Sequence, residues 1–473
     1  MGSHEAISYS KRYMAWMLTL LVLMNALNLA DRQGIAVSIQ AIKLDLHFSD
    51  ALLGIIQGLG FAIFYSLMGL PLARLAERFS RTRLIAGCLA LFGVMAALCG
   101  TAKGFASLLL FRVGVGVGDG GFTVVASSLI GDYYPSVKRA SVMSIIWLGA
   151  PIGVIGGLAG GSWITQHFGW RVMFVAIGAP AILIALIAFL TLREPPRGLA
   201  DGELMTREAP PSTWVMLRFL FAKRSMWHVL IGCSLAAISM NGIGQFLAAF
   251  LMRNFHLGTA AAGRLLALIA GAAMASGLLI GGFGVDAAIR YDKRWYVWGP
   301  ALGIAAAAPL FLAGLNQSSV SATVVILIAA HVCMFVYYTP SLALAQNMVG
   351  ANMRASSAFV VSVTLGLVGI GFGPTIVGFL SDRFAAGAFA LGSFHAACPG
   401  GAPPRGAGQV LASACGNASA TGLREALMVM SLLGLWSALH YALAARHLRR
   451  DLETRYEPLG PALDVTTAAS SKT

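Results

Sequence analysis

The sequence predicts an all-α integral membrane protein: twelve spanning helices arranged as two sets of six. Three observations predict it. Of 473 residues, 58% are hydrophobic and 11% charged, whereas a soluble domain carries roughly 25% charged residues. That is too little charge to cover a water-facing surface. Twelve apolar stretches recur, each near the ~20 residues that cross a bilayer. Basic residues concentrate on alternate connections, as orientation in a membrane requires.

The first stretch lies near 14–38, behind Lys11 and Arg12. No small-residue cleavage site follows it, so it reads as a permanent helix. Five more lie near 51–73, 83–101, 105–130, 140–162 and 171–192. A polar, proline-containing connection follows (193–224, REPPRGLADGELMTREAPPS within it), with a short amphipathic segment expected from Trp214 to Phe221. Six further stretches lie near 227–250, 261–284, 295–315, 320–346, 354–380 and 424–447. The expected organisation is a first bundle over 1–192, a cytoplasmic linker over 193–224 and a second bundle over 225–450. A disordered cytoplasmic tail is expected over 451–473. A long loop over 384–423, rich in Gly, Ala and Pro, is expected outside.

With both termini inside, one side carries Lys11, Arg12, Arg74, Arg78, Arg81, Arg83, Lys138, Arg139, Arg290, Lys293, Arg294, Arg354 and the cations of linker and tail. The other carries only Lys43, Lys103, Arg171, Arg253, Arg264, Arg383, Arg405 and Arg424. The net +14 is then mostly an orientation signal and an attraction to anionic lipid. Nucleic acid is not an expected partner.

Charges inside the spans are the most informative feature. Asp31 and Arg32 lie in the first span, Arg112 and Asp119 in the fourth. A charge at bilayer depth costs about 2.5 kcal/mol or more, so it persists where it meets a partner, a cavity or a proton path. Arg112 and Asp119 are seven apart, two helical turns on nearly one face. Asn25, Asn28 and Arg32 share a stripe, with Asp31 beside it. A carboxylate paired with Arg stays ionised; left unpaired in a dry site it takes a proton. Arg does not lose its own. Asp31 and Asp119 are therefore expected to alternate between Arg-paired and protonated states. The alternative is a pair of static ion pairs that fix helix packing.

The two halves echo each other. ARLAERFSRTR (73–83) follows the second span and GGFGVDAAIRYDKR (281–294) the eighth. Parallel repeats of six helices mark one large transporter architecture. The chain resembles the major facilitator superfamily over nearly its whole length. Segment 73–83 resembles the loop motif G-x-x-x-D-R-x-G-R-R, with Ala73, Glu77 and Ser80 at the departures. FRVGVGVGDGG resembles R-x-G-x-G-x-G of proton-coupled members, and GAPIGVIGGLAGG (149–161) a Gly/Pro-rich fifth-helix motif. Within the superfamily it resembles the Spinster-like group, which carries N-x-x-D-R, R-x-x-G-x-G-E-A and D-x-x-P-x-x-x-R. The matching positions are Asn28-Asp31-Arg32, Arg112 to Asp119, and Asp132-Pro135-Arg139, with Asp119-Gly120 in place of Glu-Ala.

The resemblance implies the major facilitator fold and alternating access. It also implies a proton-coupled exporter of a lysolipid or another amphipathic molecule. Asp31, Arg32, Arg112 and Asp119 are the expected coupling residues. Asn28, Gln57, Asn241, Gln245, Tyr337 and Tyr338 are candidate substrate contacts, each equally readable as a helix–helix hydrogen bond. Glu77, Arg78, Arg81, Asp132, Arg139, Asp286 and Arg290 are candidate gating residues on the cytoplasmic side, where the alternative is plain topogenic charge. His331 reads as a packing residue, and Pro340 as a kink in the tenth span.

Other signals are set aside. Gly116 to Gly121 matches G-x-G-x-x-G, but no strand precedes it and it lies within a span, so it is no nucleotide site. No metal or nucleophile–base constellation occurs, so no enzyme, cofactor or metal is expected. Cys88, Cys99, Cys233 and Cys333 lie in apolar runs. Cys398 and Cys415, in the outer loop, are a disulfide candidate in an oxidising compartment. Two other functions are weighed: a proton symporter of small organic anions held by Arg32 and Arg112, and a transporter-like membrane sensor without turnover. The expected setting is a bacterial inner membrane, as a monomer, with protons, lipid and a small or amphipathic substrate as partners.

Overall fold

In the computed structural model, the described residues are 9–134, 142–143, 145–196, 218, 220–348, 361, 363–404 and 406–453, without the side chains of 70, 73, 77, 123 and 124. Among them are twelve helices long and apolar enough to cross a membrane. In the first half these are α1 (Lys11–Leu46), α2 (Asp50–Ala76), α3 (Arg81–Cys99), α4 (Phe105–Tyr133), α5 (Ile145–Phe168) and α6 (Trp170–Thr191). In the second they are α7 (Arg224–Phe255), α8 (Thr259–Ile289), α9 (Trp295–Leu315), α10 (Val320–Asn347), α11 (Thr364–Ala388) and α12 (Gln409–Glu453). This is the major facilitator fold, two pseudo-symmetric bundles of six.

Local chemistry sets the helix ends. The hydroxyls of Ser10, Ser49 and Ser80 accept the first free amides of α1, α2 and α3, from Tyr13, Leu52 and Arg83, as N-caps do. The repeat is visible in the turns. α1 ends at His47 and α7 at His256, both left-handed, with φ of 54° and 52°. Each is followed three residues later by the next helix, at Asp50 and Thr259.

Several spans are interrupted where the sequence is rich in Gly or Pro. α2 breaks at Gly58. α10 breaks between Phe335 and Tyr338; Pro340 has no amide to bond the Val336 carbonyl. One wide π-turn interrupts α5 (Gly156–Gly160) and another α8 (Ile280–Gly284), and a third forms the first seven residues of α11 (Thr364–Ile370). Such turns mark sites where a helix adjusts.

Large apolar side chains point outward on the bundle's rim, among them Leu183, Leu186, Phe189 and Leu190 on α6 and Leu432, Trp436 and Leu439 on α12. That surface is suited to lipid tails, which need no polar cover. Inside, α4 lies close against α2 and α3. A Cβ added at Gly116 would stand 2.7 Å from the Phe61 carbonyl oxygen, and one at Gly120 2.5 Å from that of Tyr65. The glycine run of α4 therefore brings backbones together, and its charges with them.

The halves meet along α1–α7, α2–α11 and α5–α8. The Lys11 end of α1 and the Glu453 end of α12 lie on one face of the molecule, here called the terminal face; the His47 and His256 turns lie on the far face.

Two expected boundaries are corrected. The loop expected over 384–423 is shorter: α11 continues to Ala388 and α12 starts at Gln409. Its second part, QVLASACGNASATGL, has no proline, and its alanines favour helix; Ala418 and Gly422 bury against α11. The expected amphipathic segment from Trp214 lies mostly outside the described residues, as does the tail beyond 453.

Candidate coupling and substrate site

Asp31 and Arg32 are neighbours on α1, about 100° apart around its axis, yet both reach α4. Asp31 Oδ2 accepts from Arg112 Nη1 at 2.5 Å. Arg32 donates from Nη2 at 2.5 Å and from Nε at 3.0 Å to Asp119 Oδ2. The two-turn spacing of Arg112 and Asp119 lets α4 present one partner to each. The four charges thus form two crosswise ion pairs between antiparallel helices.

The pairs differ in exposure. Asp31 and Arg112 are sealed, at 0% and 1% of side-chain area. Arg32 retains 16% and Asp119 5%. Asp31 Oδ1 and Arg112 Nε make no hydrogen bond, so even the sealed pair is under-satisfied, a state that calls for an explanation. α2 supplies an aromatic floor. The Arg32 guanidinium lies 4.3 Å from the Tyr65 ring centroid and 4.9 Å from that of Phe61, and Arg112 lies 5.4 Å from Phe61. Tyr65 also borders the other half: a Cβ at Gly366 of α11 would stand 3.8 Å from its ring. Arg32 therefore looks toward the seam between the bundles.

Among the residues singled out by stripe and type, Asn25 turns away from this cluster and donates to the Ile146 carbonyl on α5. Asn28 and Gln57 are buried, and Asn28 Oδ1, both Gln57 side-chain atoms and Gln245 Oε1 lack partners. Asn241 back-bonds to the Ala237 carbonyl. Tyr337 is buried and Tyr338 exposed at the α10 break. His331 bonds the Leu327 carbonyl and packs against the Phe311 ring, a packing role.

The expected gating residues lie at the terminal face. Arg81 pairs with Asp132 and, at 2.8 Å, with Glu194. Glu194 Oε2 also accepts from the Thr82 amide and from the hydroxyls of Ser80 and Thr82. Burial works against ionising Glu194. The Thr82 amide, Arg81 and Ser80 outweigh it and hold the carboxyl below its ordinary value. Arg81, Asp132, Ser80 and Thr82 belong to the first half, and Glu194 to the connection just beyond α6. Asp286 and Arg290 are exposed at the end of α8, the Glu77 side chain lies outside the described part, and Arg139 lies outside the described residues. Arg78 and Arg74 line an open groove of about 640 Å3 with Leu67, Pro71, Leu75 and Phe79. At the terminal face, Arg81 pairs with Asp132 within the first half and Arg449 with Asp292 within the second.

A cluster that sequence reasoning missed joins the halves at the far face. Asp50, the first residue of α2, accepts from both Nη atoms of Arg253 on α7 at 2.6 and 2.8 Å. It also accepts from Lys43 at 2.7 Å and Ser381 at 2.7 Å. Arg253 donates to Gln40 as well. Asp382 of α11 accepts the amides of Asp50 and Ala51, so one half caps a helix of the other. The repeat uses the same device at the matching position: Gln166 of α5 accepts the Ala260 amide at the start of α8. Each of these residues reads in sequence as a helix-end charge or amide; only their meeting across the seam gives them a role.

Comparison with known proteins agrees with this geometry. The Major Facilitator Superfamily sequence model matches residues 21–374. A "MFS-type efflux pump" of Mycolicibacterium smegmatis is 30% identical over 79% of this chain and 86% of its own. Human "Protein spinster homolog 1" is 28% identical over 51% of this chain and 46% of its own. A solved bacterial homolog of the human lysosomal transporter Spinster, inward-facing and unoccupied, superposes with a TM-score of 0.86 at 31% identity, covering 95% of this chain and all of that one. The chain belongs to the major facilitator superfamily, and within it is a transporter of the Spinster type.

Proposed function

We propose that this transporter couples proton movement to export of an anionic amphipathic molecule, of the lysolipid class, across a bacterial inner membrane. Both termini lie in the cytoplasm in this reading, as the distribution of Lys and Arg favours. Residues 1–192 and 225–450 act as the two rocking bundles. The observation that carries it is the unequal pair of ion pairs, Asp31–Arg112 sealed and Arg32–Asp119 open to the seam. Substrate anion drawn to Arg32 releases Asp119, which then takes a proton in a dry site. When Arg32 returns, the proton leaves. Arg112 repeats the exchange with Asp31 one layer deeper.

Three observations support the rest. The far face is bridged across the seam by Asp50 and Arg253. This favours an inward-facing state. The apolar groove rimmed by Arg74 and Arg78 matches a molecule with an acyl chain and an anionic head. Unpartnered Asn28, Gln57 and Gln245 atoms are free for a polar headgroup.

The test is uptake of a fluorescent lysophospholipid into proteoliposomes under an imposed pH gradient. The native protein should respond to the gradient, and Asp31→Asn and Asp119→Asn should abolish that response. A gradient without effect overturns the coupling. Competition by a hexuronate in place of lysolipid favours the organic-anion reading, and binding without counterflow exchange favours a sensor.

A further inference from the structure

We infer that the disulfide-braced loop between α11 and α12 is a strap that holds the far face shut, so that breaking Cys398–Cys415 biases the protein toward opening there. The inference rests on alternating access as proposed above, and it adds a control element outside the coupling site.

The loop is folded. Cys398 and Cys415 are bonded to each other, with Cα atoms 5.8 Å apart, and both are buried. They sit in a small separate core with Ala385, Phe389, Phe394 and Ala418. Both ends of the strap belong to the second half, since α11 leads in and α12 leads out. Its tip, however, rests on the first half. The Pro399–Gly401 turn lies on the end of α1: a Cβ at Gly400 would stand 2.1 Å from the His47 carbonyl oxygen, and one at Gly401 2.7 Å from Lys43 Nζ. Both glycines hold positive φ, 65° and 74°, a backbone that glycine adopts without strain.

Beneath that tip lies the ion cluster. Lys43 is buried under the turn and bonds Asp50, which bonds Arg253 across the seam. Asp50 and Arg253 are themselves almost fully buried. A buried pair keeps its strength only while water is excluded. The strap supplies that cover from one half over a lysine of the other. Opening the far face pulls α1 away from α7 and α11, so the turn must leave His47 and Lys43. The disulfide pins the turn to the start of α12 and opposes this.

Reduction by a dithiol delivers two electrons and two protons to the bond. It leaves two thiols, and the dithiol departs as its cyclic disulfide. The freed turn then no longer presses on α1.

Hydrogen exchange read by mass spectrometry on the native protein in lipid nanodiscs tests this, with no substrate or proton gradient present. Under dithiothreitol, the amides of Asp50 and Ala51, capped by Asp382, should exchange at least tenfold faster. So should that of Ala260, capped by Gln166, which the strap does not touch. Gly400→Ala should do the same with the disulfide intact. Gly406→Ala, at φ 80° but with open space around its Cβ, should leave all three unchanged. Faster exchange confined to 389–408, with Asp50, Ala51 and Ala260 unchanged on reduction, overturns the strap. Because exchange is read without transport, loss of the coupling proposal leaves this result standing, and the reverse.

Discussion

Replacing Asp31 by Asn tests whether the sealed pair is structural, functional or both. Arg112 is 1% exposed and its carboxylate partner is Asp31. Asn fills nearly the same space but leaves a guanidinium without a counterion in a dry site, over the Phe61 ring. Breaking a buried pair on one side costs about 3–5 kcal/mol. At about 1.4 kcal/mol per decade, that is roughly a hundred- to a few-thousand-fold in the unfolding equilibrium. Neutralising both partners, Asp31→Asn with Arg112→Gln, removes the stranded charge. That variant should regain most of the loss, because an apolar or neutral pair is often no worse than a buried ion pair.

The assay is a double-mutant cycle on unfolding in detergent, run beside proton-driven uptake in liposomes. The expected result splits the two readouts: the double variant is nearly as stable as the native protein yet has no pH-dependent transport. A static packing pair would recover in both. An Asp31→Asn variant losing less than about 0.5 kcal/mol, within the range of surface substitutions, would refute the sealed geometry itself.

Other predictions follow from the remaining contacts. Arg253→Gln removes the bidentate bond to Asp50; with truncation of such a pair worth about 2–5 kcal/mol, spin-label distances across the far face should widen. Tyr65→Ala takes away one ring under Arg32 and should weaken anion binding by about 1 kcal/mol, near fivefold, read as substrate affinity. Glu194 is held ionised below its ordinary value of 4.5. Its contribution to stability is therefore present above that pH and lost as pH falls through the depressed value. Proteolysis at Arg193 should rise on acidification in the native protein and be high and flat with pH in Glu194→Gln.

Some of the site is legible in the sequence because its signals are local. Four charges inside apolar runs stand out against their neighbours, and the seven-residue spacing of Arg112 and Asp119 places both on one helix face by periodicity alone. Their crosswise pairing is not legible: which acid meets which base depends on the antiparallel approach of α1 and α4, while the glycines of α4 bring its backbone against α2 and α3. The aromatic floor of Phe61 and Tyr65 reads as ordinary apolar filling. Arg81 stands out through its loop motif and does meet Asp132, but its second partner, Glu194, comes from beyond α6, 113 residues away in sequence.

The far-face cluster shows the limit most plainly. Lys43, Asp50 and Arg253 sit at helix ends and Asp382 in the last two turns of α11, where charge is common and explains itself. By its own content the sequence determined twelve spans, a duplicated six-helix plan and the presence of ionisable groups at membrane depth, because hydropathy and helical periodicity act over a few turns. Tertiary structure alone decided which of those groups are sealed, which look into the seam, and which face is bridged. Those properties depend on contacts between segments up to 332 residues apart, as Asp382 on the amide of Asp50 illustrates.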